Sequence, residues 1–87
     1  MNTYRLLIST PDGNVLDDPV ASLVLRGAEG DLAILAGHIP FVTAIKPGKI
    51  RVVYEDASER SFECTGGILS VGTRDVNVLA TDCKEIK

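Results

Sequence analysis

The chain is broken by turn-forming residues so often that it has no room for long regular elements. The breaks fall at Pro11-Asp12-Gly13, Asp17-Asp18-Pro19, Gly27-Ala28-Glu29-Gly30, Gly37-His38-Ile39-Pro40, Lys46-Pro47-Gly48, Glu55 to Glu59, Thr65-Gly66-Gly67 and Gly72 to Asp75. Gly, Pro and Asp favour φ values and local hydrogen bonds that helices and central strands reject, so each cluster marks a turn. The segments between them suit strands and fall short of an average helix of about 11–12 residues.

Side-chain alternation supports strands. Tyr4, Leu6 and Ile8 point one way, and Arg5, Leu7 and Ser9 the other. Leu23 and Leu25 alternate with Ser22, Val24 and Arg26, and Ile50, Val52 and Tyr54 with Arg51, Val53 and Glu55. Phe62 and Cys64 alternate with Ser61, Glu63 and Thr65, and Val76 and Val78 with Asp75 and Asn77. One polar and one apolar face per strand is the mark of antiparallel sheets packed on a core. Val, Ile and Thr supply 22 of the 87 residues, and their branched Cβ favours the pleated sheet. Residues 49–65 read as a hairpin with a five-residue loop at Glu55 to Glu59. Residues 82–87 read as a terminal tail. The expectation is an all-β protein, a flattened antiparallel sandwich or barrel of eight to ten short strands. At 87 residues it is one domain, 1–87, without repeat or linker.

Several function classes fall away. A net charge of −3 leaves no basic stripe for phosphate backbones, so nucleic acid is not expected as a partner. The longest apolar run, Leu32 to Ala36, is far below the ~20 residues of a membrane-spanning helix. The first ten residues lack the organisation of a signal peptide, so the chain reads as cytosolic. Cys64 and Cys83 lack the number and spacing of a disulfide framework and are expected as two buried or half-buried free thiols. Two cysteines and one histidine are too few for a metal site.

Catalytic constellations are equally thin. His38 is the only histidine, and no serine lies in a nucleophile-elbow pattern, so His38 reads as a turn residue rather than a base. The Gly27/Gly30 pair is not a phosphate-binding fingerprint. Asp17, Asp18, Glu55, Asp56 and Glu59 read as solvated turn carboxylates. No catalytic residue, cofactor or metal is assigned.

Residues 27–48 stand apart, with four of the eight glycines and two of the four prolines. Backbone held in fixed turns commonly presents a surface to a partner. The segment resembles the hallmark of the F-type ATP synthase epsilon subunit. That family has a Gly-x-Glu-Gly-Glu/Asp start, a short apolar strand, a Pro-Gly-His-x-Pro turn and a closing Lys-Pro-Gly. Here these are Gly27, Glu29, Gly30 and Asp31, then Gly37, His38 and Pro40, then Lys46, Pro47 and Gly48. The likeness extends to the first hairpin over residues 1–20 and to strands at 66–71 and 76–80. Ala36 stands where the family usually has Pro, which implies a looser turn before His38.

The resemblance implies a non-catalytic β-sandwich of the central stalk. It would bind the gamma subunit on one side and the membrane-ring loops at its base, coupling proton-driven rotation to ATP synthesis. Glu29, Gly30 and Asp31 would meet the ring, and Gly37, His38 and Pro40 the gamma subunit. Apolar contact would come from Leu32, Ile39 and Phe41, with Leu32 expected in the core instead. The setting implied is peripheral, on the cytoplasmic face of a bacterial membrane, without insertion. Family members continue into a C-terminal helical hairpin, whereas this sequence stops at Lys87. Assembly and coupling without inhibitory control are therefore expected. The alternative is a stand-alone sandwich that binds a ligand or another protein. Against a sugar site, there is no Trp and only Tyr4, Tyr54, Phe41 and Phe62 to form a platform. A small β-barrel hydrolase would have to depend on His38.

Overall fold

Turns at nearly every predicted break fold the chain into short strands. The structure, a computed structural model, describes residues 3–27, 30–37 and 39–86. Those residues form ten strands: β1 (Tyr4–Thr10), β2 (Gly13–Val20), β3 (Ser22–Gly27), β4 (Gly30–Leu35), β5 (Phe41–Ile45), β6 (Gly48–Val53), β7 (Glu59–Cys64), β8 (Gly67–Val71), β9 (Asp75–Ala80) and β10 (Cys83–Ile86). No helix occurs among the described residues. The strands pair in the order β10-β7-β6-β3-β5-β8-β9-β1-β2, with β4 added on β3. Every pairing is antiparallel except β1 with β9, which run parallel.

The expected alternation is observed. Leu6, Ile8, Leu23, Val52, Phe62, Leu69, Val76 and Val78 have no exposed surface. Burying a side chain of this size contributes about 1.5–3 kcal/mol, so this inward set is the main stabilising term. Phe62 is the largest, and the Arg60 guanidinium lies 5.3 Å from its ring centroid.

Three expectations are corrected. Asp17-Asp18-Pro19 is not a break: β2 runs straight through it, pairing Asp17 with Leu7 and Pro19 with Arg5. Proline is tolerated because β2 is an edge strand, where a missing N–H leaves no ladder bond unmade. Residues 83–86 are not a tail but strand β10, which pairs Cys83 with Cys64 and Ile86 with Ser61. The two cysteines are not free thiols; they are joined to each other, directly opposite across β7 and β10 with Cα atoms 4.1 Å apart. The five-residue hairpin loop has its expected length but lies at 54–58, one residue earlier than read.

Side-chain bonds close what the ladder leaves open. The buried Tyr4 hydroxyl donates to the Ile34 carbonyl at 2.7 Å, tying β1 to β4. The two ends of the pairing order, β2 and β10, both reach Arg60 on β7. Its Nε and Nη2 hold the Glu85 carboxylate at 3.0 and 2.6 Å. Its Nη1 lies 3.7 Å from Asp18, which also accepts from the Tyr54 hydroxyl at 2.7 Å. The Glu85 carboxylate, then Tyr54, hold the Arg60 guanidinium above its ordinary pKa. Partial burial, then Asp18, push the Tyr54 hydroxyl up.

Register places the turns in two groups. Gly27 faces Gly30 and Ile45, Ile45 faces Gly67, Gly67 faces Ala80, and Gly48 faces Cys64. The turns near residues 12, 46, 65 and 82 and the paired Gly27 and Gly30 therefore share one end. Those near residues 37–40, 54–58 and 72–74 lie at the other.

Candidate functional site

The segment 27–48 spans the length of the sandwich. It leaves β3, turns at the Gly27/Gly30 pair, climbs β4, rounds a corner at 36–40 and descends β5 to the Pro47 turn. Gly30 has φ +130 and Gly37 has φ +84, a region that disfavours any side chain, which explains glycine at both corners. The two candidate contacts are not brought together. They lie at opposite ends of the six-residue β4, which at about 3.3 Å per residue separates them by roughly 20 Å.

At the lower end, Asp31 is exposed and sits 3.4 Å from the Arg26 guanidinium, directly across the hairpin. An exposed pair of this kind contributes little, about 0–1 kcal/mol, so its carboxylate is readily given up to another cation. At the upper corner, Gly37 and Pro40 flank the turn. Glu29 and His38, both named from the sequence, lie outside the described residues. Leu32 is half-buried against the core, closer to its core reading than to a contact surface.

Apolar side chains are exposed both at the upper corner and on β5. Ile39 is 81% and Val42 68% exposed. Val42 faces Ser70 and Ala44 faces Ile68 across β5 and β8, and Ile68 faces Leu79 across β8 and β9. Opposed residues share a face, so Val42, Ala44, Ile68 and Leu79 form one outward strip. Ile68 and Leu79 are 49% and 52% exposed. Beside them is an open cleft of about 410 Å³ that reaches Ser9, Pro11 and Gly67. This face departs from the expected polar exterior. The sequence reading named Ile39 as a contact but none of Val42, Ala44, Ile68 and Leu79, though the doublets Ile68-Leu69 and Val78-Leu79 carried the signal: consecutive apolar residues in a strand make both faces apolar.

Chemical groups elsewhere are structural. The Arg5 guanidinium grips Asp17 with two bonds of 2.8 Å and holds that carboxyl below the ordinary carboxylate range. The Ser58 hydroxyl does the same for Asp56. Burial pushes the Tyr4 hydroxyl well up. Among the described residues, no group of three or more His, Cys, Asp or Glu is placed to hold a metal ion.

Residues 3–86 match the family model described as the ATP synthase delta/epsilon chain, β-sandwich domain. The chain belongs to the ATP synthase delta/epsilon family. Members of this family are non-catalytic subunits of the rotary ATP synthase. A solved structure of the Euglena gracilis mitochondrial ATP synthase, with its OSCP, F1 and c-ring, contains a chain of the same fold. The two superpose with TM-score 0.92 at 28% identity, covering 98% of this chain and 54% of that one. A chain in the Tetrahymena thermophila mitochondrial ATP synthase central stalk and c-ring shares the fold at TM-score 0.79 and 17% identity, covering 92% of this chain and 64% of that one. The present delta/epsilon chain thus spans about half the length of the Euglena chain it matches.

Proposed function

We propose that this chain is a single epsilon-type rotor domain, 1–87, that docks on the gamma subunit and meets the membrane ring. Its work would be to transmit proton-driven rotation to ATP synthesis while making no bond itself. The observation that carries this reading is the outward apolar strip from Val42 and Ala44 across Ile68 to Leu79. A large exposed apolar patch marks a surface that is covered in use. The gamma subunit would cover it, with Gly37, His38 and Pro40 of the sequence motif proposed to join that contact. The ring would meet the far end, where Gly30 and Asp31 begin β4, with Glu29 of the same sequence motif proposed to join the contact.

The mechanism asks for stiffness rather than chemistry. A close-packed core transmits strain with little deformation. The Tyr4–Ile34 and Arg60–Asp18–Glu85 fastenings hold sheet edges that would otherwise shear. Asp31, lightly held by Arg26, would exchange that partner for a cation on a ring loop and so set register more than affinity. The complex would sit peripherally at a membrane, on the cytoplasmic face in a bacterium.

The test is co-purification with the gamma subunit of the same organism. Ile68→Glu with Leu79→Glu places two charges in the strip and should weaken the 1:1 complex by about tenfold or more. His38→Ala should weaken it less. Asp31→Lys should leave gamma binding intact and impair coupling in the assembled enzyme. Undiminished gamma binding by the double glutamate variant would remove the basis of this reading.

A further inference from the structure

The joined cysteines lie where the last strand has little else to hold it. Among its four residues, β10 buries only Cys83, at 7% exposure; Lys84, Glu85 and Ile86 all face out. Beyond the bond, its fastenings among the described residues include the ladder to β7, the Arg60–Glu85 pair, and three hydrogen bonds between Thr65 and Asp82. The Arg60–Glu85 pair is more than a third exposed on both sides, where water weakens it. A short edge strand with one inward side chain is a low-stability element of the kind that opens locally. Both cysteines are nearly buried in the closed fold, Cys64 at 3% and Cys83 at 7% exposure, and local opening of β10 would bare the bond from one side. Cys64 lines an open cleft of about 490 Å³ together with Pro47, Gly48, Asp82 and Lys84.

We propose that the Cys64–Cys83 bond is a redox clasp: a dithiol entering the cleft reduces it and releases β10 from the β7 edge, while the other strands stay folded. One thiolate of the dithiol attacks Sγ of Cys64. A mixed disulfide forms, and Cys83 leaves as a thiolate and takes a proton. The second thiol of the reductant then attacks the mixed disulfide, freeing the Cys64 thiol and closing the reductant into its own disulfide. Two electrons and two protons pass to the protein, and exchange with a disulfide of the same class reverses the step. Release leaves the β7 edge with unpaired N–H and C=O groups, which an added strand can occupy. The clasp stands independently of the rotor reading, because it rests on β7 and β10 alone.

Thiol alkylation with mass spectrometry, followed by amide hydrogen exchange on the whole chain, tests this. The air-oxidised protein should show no reactive thiol, and dithiothreitol without denaturant should yield two. Reduction should speed exchange of residues 83–86 by about tenfold or more while β1 and β9 stay protected. The Cys64→Ala/Cys83→Ala chain should show a released β10 with or without reductant. Thiols that alkylate before reduction would overturn the clasp. So would a bond that yields only in urea, a β10 that stays protected in reduced wild type, or loss of protection in all strands together. Because wild type carries the decisive measurement, a variant that fails to fold leaves the test intact.

Discussion

Gly67 is the position where one added methyl group should do most damage. It opens β8 directly opposite Ala80 on β9 and Ile45 on β5, so its backbone is flanked on both sides. Its φ lies outside the left-handed region, so backbone strain is not the issue. A Cβ built there collides with the Leu79 carbonyl oxygen and comes within 2.9 Å of the Ala80 Cα. Both are backbone atoms and cannot rotate away. Ordinary contact would require β8 and β9 to part by several tenths of an ångström or more, in mid-sheet. Overpacking of this kind costs about 1–3 kcal/mol. One ladder hydrogen bond lost with it adds about 0.5–1.5 kcal/mol. Gly67→Ala should therefore destabilise by about 2–4 kcal/mol, which in a domain this size lowers Tm on the order of 10–25 °C. Urea unfolding followed by far-UV circular dichroism measures it, with Ser70→Ala on the same strand as the reference, expected to stay within about 0.5 kcal/mol. A Gly67→Ala chain as stable as Ser70→Ala would refute the close β8–β9 approach and with it the register around the apolar strip.

Two predictions concern titration. Asp17 has a depressed pKa in the folded state because Arg5 grips it, so its contribution is present above the ordinary carboxylate pKa of about 3.9 and is lost as pH falls through the folded value. In Arg5→Gln the Asp17 carboxyl should titrate near its ordinary value by NMR, and the acid loss of stability should become shallower. Tyr4 has a raised pKa from burial, so its contribution is full below the unfolded tyrosine value of about 10 and is lost as pH climbs beyond it. Stability should fall in that alkaline window, and Tyr4→Phe should flatten the fall while removing the hydroxyl's bond to Ile34, a loss of about 1–2 kcal/mol near neutrality.

Much of the candidate site was legible because the motif is made of residues with local meaning. Gly30 and Gly37 stand where φ is positive, and Pro40 and Pro47 stand where the chain turns. Those requirements act within two or three residues, so a sequence displays them directly. Asp17-Asp18-Pro19 misled for the same reason: its local preference is a turn, and only the edge position of β2 lets it remain a strand. The apolar strip was missed because Val42, Ile68 and Leu79 come from three segments, and their adjacency exists only once the register is set.

Sequence alone determined that the chain is all-β, which side of β1, β3, β6, β7 and β9 faces inward, and where most corners fall, since these follow from a two-residue period and the φ preferences of Gly and Pro. Tertiary structure alone decided partners. It set the parallel pairing of β1 with β9, the docking of β10, the union of Cys64 with Cys83 and the convergence of Asp18, Tyr54 and Glu85 on Arg60. Strand pairing is a contest among distant segments of similar propensity, and the packing of the whole core decides it.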